Sequence, residues 1–321
     1  MSEVVFMFPG QGSQFAGMAT SLREDRRFDR AMDDCLEALG EVGHRCATAW
    51  TSGDPDLVDV GSISQPLLMA VGTAMAACAE DALGRPADIV VGHSIGEIAA
   101  AHHAGVLDLR ATGTVCAERA RLLDEGPRGR LIGVAGTCEA VGDALTGLPE
   151  PVCIAAVNGP RQVVVAAPEH LVSAARAALR TAGLATMLAG ATEPFHSPVM
   201  GEVARRFTAA MAGVPLAVAA RSRMVSSLTA ADLQDVEAVD PAFWGMQLAR
   251  RIRFWDAMRH LDAPGRVFVE TGPGRVLSGA ARQLTSVREG TSRVVTMFPS
   301  SRTDRSGAAW RESLTTLAGL G

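Results

Sequence analysis

Residues 88–97 read Asp88-Ile89-Val90-Val91-Gly92-His93-Ser94-Ile95-Gly96-Glu97, and this stretch decides the fold. Asp88–Val91 predicts a buried strand, and the Ala-rich sequence after it predicts a helix from Glu97 to about residue 104. A Gly-x-Ser-x-Gly turn between the two is typical of a nucleophile elbow, in which glycine on both sides allows a tight turn and the helix N-terminus supplies donors for an oxyanion. Ser94 is therefore the candidate nucleophile. The alternative is an ordinary strand-to-helix turn in which His93 and Ser94 cap the helix.

Strand and helix alternate in the same way at both ends of the chain. Val4–Phe8 is a fully apolar run before Pro9-Gly10, which predicts a buried parallel strand. Arg266–Glu270 and Arg293–Phe298 predict two more strands, with helical sequence at Arg275–Leu284 between them. This alternation indicates an α/β protein with a parallel sheet.

The middle of the chain follows another order. Its predicted elements run β-α-β-β-α-β and are Leu131–Gly136, Glu139–Leu145, Val152–Val157, Gln162–Ala167, His170–Thr181 and Leu184–Leu188. This split βαβ order is that of a ferredoxin-like motif. We therefore predict a small domain at 128–191, inserted into a large α/β domain formed by 1–127 and 192–321, with hinges near Gly126-Pro127 and Ala191–Pro194.

The composition excludes several classes of enzyme. The 321 residues include no lysine and no tyrosine, so all 30 basic residues are arginine. Without lysine the chain cannot be a Walker A nucleotide hydrolase, a Schiff-base aldolase, a pyridoxal enzyme or a Ser-Lys acyl enzyme, and dehydrogenases with a Tyr-Lys pair are excluded as well. The net charge of −5 provides no global positive field, so no nucleic acid partner is expected.

The cysteines, the N-terminus and the hydropathy bear on the cellular compartment. The six cysteines show no CxxC spacing, which predicts reduced thiols and neither a metal site nor a disulfide framework. The start Met1-Ser2-Glu3 lacks the basic residues of a signal peptide. The longest weakly polar stretch, around Leu67 to Ala79, is too short for a bilayer, which needs about 20 residues. We expect a cytoplasmic protein with no membrane partner.

A serine nucleophile needs a base, and the chain has seven histidines. His93 lies in the elbow itself, and five others lie in helices or polar segments: His44, His102, His103, His170 and His260. His196, in Pro194-Phe195-His196-Ser197-Pro198, lies where the chain leaves the inserted domain and returns to the sheet. An insertion forms a cleft at that point, so His196 is the candidate base. The alternative is a structural histidine packed beside Phe195.

Seven motifs now identify a family. They are Phe8-Pro9-Gly10-Gln11-Gly12-Ser13-Gln14, Gly92-His93-Ser94-Ile95-Gly96-Glu97, Arg119, Asn158-Gly159-Pro160, Phe195-His196-Ser197-Pro198, Gln247-Leu248 and Glu270-Thr271-Gly272-Pro273-Gly274. In this order and spacing the chain resembles the malonyl-CoA:acyl-carrier-protein transacylases and the acyltransferase domains of polyketide synthases, from about Val4 to Thr296. The resemblance implies a hydrolase-like α/β domain with a ferredoxin-like insertion, and an active site between the two.

The resemblance also implies a mechanism. Ser94 attacks the thioester of malonyl-CoA with His196 as base, and the phosphopantetheine thiol of an acyl carrier protein then takes the acyl group from the serine. By position the amides of Gln11 and Ile95 form the oxyanion hole, and the main-chain carbonyl of Gln247 orients the imidazole in place of an Asp. Coenzyme A enters as part of the substrate, so no cofactor is expected.

Substrate choice is expected to depend on Arg119. A malonyl group brings a carboxylate into an apolar gorge, where the guanidinium fork can bind it with two hydrogen bonds. Ile95 after the serine and Phe195 before the histidine are similar to malonyl enzymes rather than methylmalonyl enzymes. His93 and Asn158 are further substrate-binding candidates, and Glu97 is expected to be structural.

The sequence also departs from the family pattern. Glu193-Pro194 replaces the family's usual His-Ala before Phe-His. The family also has an aromatic residue two positions before a glutamine that corresponds to Gln65, and this chain has Ile63 there. These departures leave the shape of the acyl pocket open.

The leading hypothesis is a free-standing malonyl transferase that loads a carrier protein in fatty acid or polyketide synthesis. Three alternatives stay open: an editing acyl hydrolase, a trans-acting transferase for a substituted malonyl or other acyl unit, and a non-catalytic protein that docks carrier proteins. Because carrier proteins are acidic, a basic docking surface is expected. Its candidates are Arg250, Arg251, Arg253 and Arg275, followed by Arg161 and Arg176.

Overall fold

The computed structural model describes residues 2–298 and 307–321. The strands of these residues are β1 (Glu3–Phe8), β2 (Ile89–Gly92), β3 (Gly129–Ala135), β4 (Cys153–Gly159), β5 (Gln162–Pro168), β6 (Ala185–Leu188), β7 (Arg223–Ser226), β8 (Ala231–Asp232), β9 (Arg266–Pro273) and β10 (Arg293–Phe298). The α-helices are α1 (Arg26–Ala38), α2 (Glu41–Ser52), α3 (Pro55–Val58), α4 (Gly61–Leu83), α5 (Gly96–Ala104), α6 (Leu109–Asp124), α7 (Cys138–Leu145), α8 (Val172–Thr181), α9 (Gly201–Met211), α10 (Asp235–Ala238), α11 (Pro241–Met246), α12 (Phe254–His260), α13 (Val276–Ala281), α14 (Thr285–Arg288) and α15 (Ala308–Ala318). Short 3₁₀ turns lie at Thr20–Glu24, Glu169–Leu171, Pro198–Met200 and Gln247–Ala249.

The larger sheet has the strand order β10-β9-β1-β2-β7-β8 in the described residues. β1 runs parallel to both neighbours, with Phe6 opposite Val90 in β2 and Val269 in β9. Its apolar side chains are completely buried and alternate between two cores: Phe6 packs on the side of α4 and α5, and Met7 packs on the side of α12 and α13. A strand covered on both faces has to be apolar throughout, which explains the run at Val4–Phe8. The parallel α/β sheet predicted from the sequence is confirmed.

The helix α4 is the long core helix of the large domain. By length and composition it could cross a membrane, but 94% of its most apolar window is buried inside the protein. The helix is longer than the predicted stretch Leu67–Ala79, so the expected length of the apolar segment was wrong. Its place in the structure follows from its packing against α1, α2, α6 and β9.

The smaller sheet has the order β4-β5-β3-β6, and β3 runs antiparallel to β5 and β6. Val134 and Val163 belong to an apolar core that the sheet shares with Val141 of α7 and with Ala175 and Leu179 of α8. This is the ferredoxin-like arrangement, and the fold class predicted from the sequence is confirmed. All the predicted elements of this segment are present, with bounds that differ by one or two residues.

In the described residues, main-chain hydrogen bonds join the smaller sheet to the rest of the chain at two places. Where the chain enters and leaves the segment, the Gly129 amide donates to the Thr192 carbonyl at 3.0 Å. On the other side, β4 pairs with Ile252: the Val157 amide donates to the Ile252 carbonyl at 3.0 Å, and the Ile252 amide donates to the Ala155 carbonyl at 2.8 Å. The predicted division at 128 and 191 falls at the first junction, and we keep it as the proposed domain boundary.

The structure differs from the sequence predictions near the end of β9. The strand runs on to Pro273, where Glu270 was the expected end, and α13 covers only part of the predicted helix Arg275–Leu284. The Glu270 carboxylate accepts the amides of Leu277 and Ser278 at 3.0 and 2.8 Å, which fixes the first turn of α13. The helix then ends in i→i−3 bonds, such as Gln283 to Ala280. Strand β7, which extends the sheet beyond β2, was not predicted from the sequence.

Candidate active site

Ser94 lies in the turn between β2 and α5, with a left-handed backbone at φ 55°. The two flanking glycines are required by close packing. A Cβ on Gly92 would overlap the Glu97 amide, and a Cβ on Gly96 would overlap the Phe8 carbonyl of β1. The turn can therefore fold this tightly only because both positions lack a side chain.

The structure brings Ser94 and His196 together. Ser94 Oγ lies 2.8 Å from His196 Nε2, and His196 Nδ1 lies 2.9 Å from the main-chain carbonyl oxygen of Gln247. A carbonyl only accepts, so Nδ1 carries the proton and donates to Gln247, which leaves Nε2 free to accept the Ser94 hydroxyl proton. Burial and the nearby Arg119 cation lower the pKa of His196 to about 3. The imidazole is therefore neutral at pH 7, which is the form a general base needs.

The expected oxyanion donors have no other partner. In the part of the chain that the structure describes, the main-chain amides of Gln11 and Ile95 donate to no acceptor. The two loops approach closely because Gly10 lies against His93, where a Cβ would meet the His93 carbonyl and ring. Two free amides next to the candidate nucleophile fit the oxyanion hole expected from the sequence.

Arg119 of α6 is completely buried. Its Nε donates to Gln65 Oε1 at 2.7 Å, and its Nη1 donates to Gln247 Oε1 at 3.0 Å. Within 2–298 and 307–321, its Nη2 is buried and finds no hydrogen-bond partner. Burial lowers the pKa of Arg119 to about 10, so the guanidinium stays charged at neutral pH.

A cavity of about 140 Å³ lies between the two sheets. The large domain contributes Gln11, His93, Ser94, Phe195 and His196 to its wall. The small domain contributes mostly small or apolar residues, which are Leu131, Gly133, Ala155, Ala156, Val164, Met187, Ala189 and Gly190. Of the predicted site residues, Ile95, Arg119 and Gln247 lie outside the described wall of this cavity.

His93 and Asn158 connect the two domains across the cavity. His93 Nε2 lies 2.8 Å from Asn158 Oδ1, and burial lowers the pKa of His93. The neutral ring can donate this bond from Nε2 to the amide oxygen. The contact places β4 of the small domain directly against the elbow.

Two side chains complete a buried network that was not foreseen from the sequence. Gln65 Nε2 donates to Gln11 Oε1 at 2.9 Å, so Gln65 links Arg119 to the loop that carries Gln11. Gln247 Nε2 donates to the carboxylate of Glu97, which is also completely buried. From the sequence, Gln65 is only a motif position and Glu97 is expected to be structural. The match of Gln65 to a glutamine of the family pattern was a signal in the sequence, but it did not show which residues Gln65 contacts.

The described residues contain no group of three or more His, Cys, Asp or Glu side chains placed to hold a metal ion. The site instead consists of a serine, a neutral histidine, free amides and a buried arginine. A family model described as an acyl transferase domain matches residues 5–318. The chain belongs to the acyl transferase family.

The relatives of this acyltransferase include polyketide synthases. It is 36% identical over 284 residues to a phenolphthiocerol/phthiocerol polyketide synthase chain of Mycobacterium tuberculosis, a match that covers 87% of this chain and 18% of that protein. It is 33% identical over 318 residues to the erythronolide synthase EryA2 of Saccharopolyspora erythraea, covering 94% of this chain and 8% of that protein. The acyltransferase thus spans a small part of the length of these relatives.

Solved structures show the same fold. The acyltransferase domain from the second module of the salinomycin polyketide synthase superposes with a TM-score of 0.88 at 30% identity, over 100% of this chain and 74% of that one. The malonyl-CoA:acyl carrier protein transacylase FabD from Xanthomonas oryzae pv. oryzae gives 0.83 at 25% identity, over 96% of this chain and 98% of that one. The family to which the sequence motifs pointed is confirmed.

Proposed function

We propose that this acyltransferase moves a malonyl group from coenzyme A to the phosphopantetheine thiol of an acyl carrier protein, through an acyl ester on Ser94. The observation that carries the proposal is the unpartnered Nη2 of the buried Arg119 cation. A buried cation with an open donor favours an anionic ligand, and the free carboxylate of a malonyl group is such a ligand. Gln247 accepts from Arg119 through its side-chain oxygen and from His196 through its main-chain carbonyl. One residue therefore supports both the carboxylate-binding arginine and the Ser94–His196 dyad.

The first half-reaction follows from the hydrogen bonds of the dyad. Ser94 Oγ attacks the thioester carbon while its proton passes to His196 Nε2, and the amides of Gln11 and Ile95 hold the resulting oxyanion. When the tetrahedral intermediate collapses, the C–S bond breaks and the coenzyme A thiolate takes the proton from His196 Nε2. The products are free coenzyme A and a malonyl ester on Ser94.

The second half-reaction runs the same steps in reverse. The carrier protein's phosphopantetheine thiol loses its proton to His196 Nε2 and attacks the ester carbon. The ester C–O bond breaks, and Ser94 Oγ recovers its proton from the imidazole. No bound cofactor is needed, since coenzyme A enters and leaves with the substrate.

Transfer to a thiol is favoured over hydrolysis by the seclusion of the dyad. Ser94 and His196 are 7% and 5% exposed, and the cavity beside them is largely apolar. Few waters can therefore approach the ester. An editing hydrolase for simple acyl groups would also gain nothing from Arg119.

A second candidate function is transfer of a substituted malonyl unit. It is favoured by the small residues on the small-domain wall of the cavity, among them Gly133, Ala155 and Ala156, which leave room for a side chain on the acyl group. Phe195, on the opposite wall, limits that room. One similar structure, at 27% identity and a TM-score of 0.88, is the acyltransferase domain of SpnD in complex with 2-(pent-4-yn-1-yl)malonyl.

Intact-mass spectrometry of the protein after mixing with single acyl-CoA donors tests the proposal. The donors are malonyl-, methylmalonyl-, longer alkylmalonyl-, acetyl- and butyryl-CoA, and a phosphopantetheinylated carrier protein is then added. We expect a malonyl adduct that disappears when the carrier protein is added. A preference for alkylmalonyl donors selects the second candidate, whereas adducts only from acetyl- or butyryl-CoA, or no adduct at all, would contradict both.

A further inference from the structure

The buried charge of Arg119 is balanced indirectly. In the described residues, its hydrogen bonds go to the two amide oxygens of Gln65 and Gln247 and to no carboxylate. A buried cation without a compensating anion is strongly destabilising. Gln247 provides the link to an anion, since its Oε1 accepts from Arg119 while its Nε2 donates to Glu97.

Glu97 accepts hydrogen bonds from several donors. It lies in the first turn of α5, just after Ser94, and is completely buried. Besides Gln247, the Ser227 amide donates to its Oε1 at 2.9 Å, and the Ser227 hydroxyl lies 3.5 Å from its Oε2. An ionised carboxylate is an acceptor only, and these partners can all donate. Burial raises the pKa of Glu97, and the hydrogen bonds oppose that rise.

We infer that Glu97 is a positioning residue. Through Gln247 it holds in place both the Ser94–His196 dyad and the guanidinium of Arg119. The Gln247 side chain is held by Glu97 and holds Arg119, while its main-chain carbonyl holds His196. Because an amide separates the carboxylate from the guanidinium, the charge of Arg119 is balanced without a direct ion pair. Its Nη2 is left without a hydrogen-bond partner in the described residues, so it keeps a donor for the carboxylate of an acyl group that reaches it. The identity of that acyl group rests on the proposed function.

Glu97→Gln is the variant that tests this inference, and Glu270→Gln is its matched control. Glu270 is equally buried and accepts two main-chain amides, but it lies outside the network. Both variants are expected to lower the melting temperature. Glu97→Gln should also lower the ratio of malonyl to acetyl acylation rates by about tenfold or more, the size of effect that follows when the supporting partner of a metal ligand is removed. Glu270→Gln should leave the ratio within about twofold of wild type. Equal ratios in the two variants would overturn the inference.

The double variant Glu97→Gln with Gln247→Glu distinguishes the effect of Glu97 on malonyl preference from its effect on the stability of the fold. The glutamine introduced at position 97 can accept from Ser227 and donate to the carboxylate introduced at position 247, so every hydrogen bond is restored and the melting temperature should recover. That carboxylate would then pair directly with Arg119 and quench its charge, so the malonyl preference should stay lost. Recovery of both properties would show that the intervening amide is unnecessary and would overturn the inference.

An NMR measurement distinguishes failure of this inference from failure of the proposed function. The Arg119 Nε proton is donated to Gln65, and Gln247 holds the same guanidinium through Nη1, so the Nε proton should exchange slowly with water in the wild-type protein. Glu97→Gln should speed this exchange by about tenfold or more, whichever acyl group the protein accepts. Unchanged exchange would overturn the role of Glu97, whereas the absence of a malonyl adduct on the wild-type protein, together with accelerated exchange in Glu97→Gln, would overturn only the proposed function.

Discussion

Ser94 and His196, whose side chains meet at 2.8 Å, both have a left-handed backbone, with φ of 55° and 60°. This conformation is unfavourable for residues with a side chain and costs about 1 kcal/mol or more at each position. The surrounding structure enforces it at Ser94 through the close packing of Gly92 and Gly96. At His196 it is enforced by the bond from the His196 amide to the Leu248 carbonyl at 2.8 Å. The side chains of Ser94 and His196 thus come together because the two strained turns that carry them face each other.

Replacing Ser94 tests both its role as the nucleophile and the strain of its left-handed backbone. Ser94→Ala and Ser94→Gly should each form no acyl adduct, because neither has a hydroxyl. Ser94→Gly should be more stable to urea than Ser94→Ala by about 1 kcal/mol, because glycine adopts a positive φ readily. Intact mass and urea titration measure the two effects, and an adduct on either variant would place the nucleophile elsewhere.

His196→Ala should reduce the rate of acylation by malonyl-CoA by about 10²- to 10⁴-fold, the usual effect of removing a general base. His260→Ala serves as a control, since His260 is exposed and lies outside the site. Rapid-quench acylation measures the rate. A rate within a few fold of wild type would mean that His196 only supports the fold.

The depressed pKa of His196 predicts an unusual pH profile. Because its folded pKa is about 3, the imidazole stays neutral as the pH falls from 7 to 5, where an ordinary histidine would be only about 3% free base. Single-turnover acylation should therefore change by less than about twofold over this range. The unfolded chain binds the extra proton between about pH 6.5 and 3, so folding stability should fall as the pH drops through that window. An acylation midpoint near pH 6.5, with the protein still folded by circular dichroism, would contradict the assignment.

Arg119 variants test the carboxylate clamp by a ratio. Arg119→Ala should lose malonyl acylation relative to acetyl acylation by about thirtyfold or more, equivalent to about 2 kcal/mol. Arg119→Lys keeps the charge but not the guanidinium fork, so it should recover only part of the preference. General damage to the fold would lower both rates alike, and an unchanged ratio would exclude Arg119 as the clamp.

The docking prediction concerns Arg250 and Arg251. Both are exposed and follow directly on the turn that orients His196, whereas Arg253 is paired with Asp256. Reversing Arg250 and Arg251 to Glu should raise the KM for the carrier protein and flatten its salt dependence, with little change in self-acylation. Of the second candidates on the small domain, Arg161 is exposed but Arg176 is half-buried, so reversal of Arg161 and the exposed Arg180 is the control. A larger effect of the control pair would place the docking surface on that domain.

The elbow, the dyad partners and the small domain could be predicted because each has a local signal. Two glycines around Ser94, a histidine at the exit of the insertion and the βαββαβ order can all be read from short stretches of sequence. The buried network could not, because its partners are far apart: Arg119 and Gln247 are separated by 128 residues, and Glu97 and Gln247 by 150. No periodicity or motif shows which of these positions touch, so the hydrogen bonds of Glu97 and Gln65 could not be predicted from the sequence. The predicted helix Arg275–Leu284 begins almost where expected, but its early end at Ala281, in i→i−3 hydrogen bonds, was not predicted.

The pairing of β4 with Ile252 has a consequence for how substrates enter. A domain joined only by its two connecting segments could swing outward and widen the cleft. Here β4, the strand that carries Asn158, is also paired with Ile252 of the large domain, and this third attachment opposes such a swing. We therefore expect the two domains to keep nearly the same separation when an acyl donor binds between them.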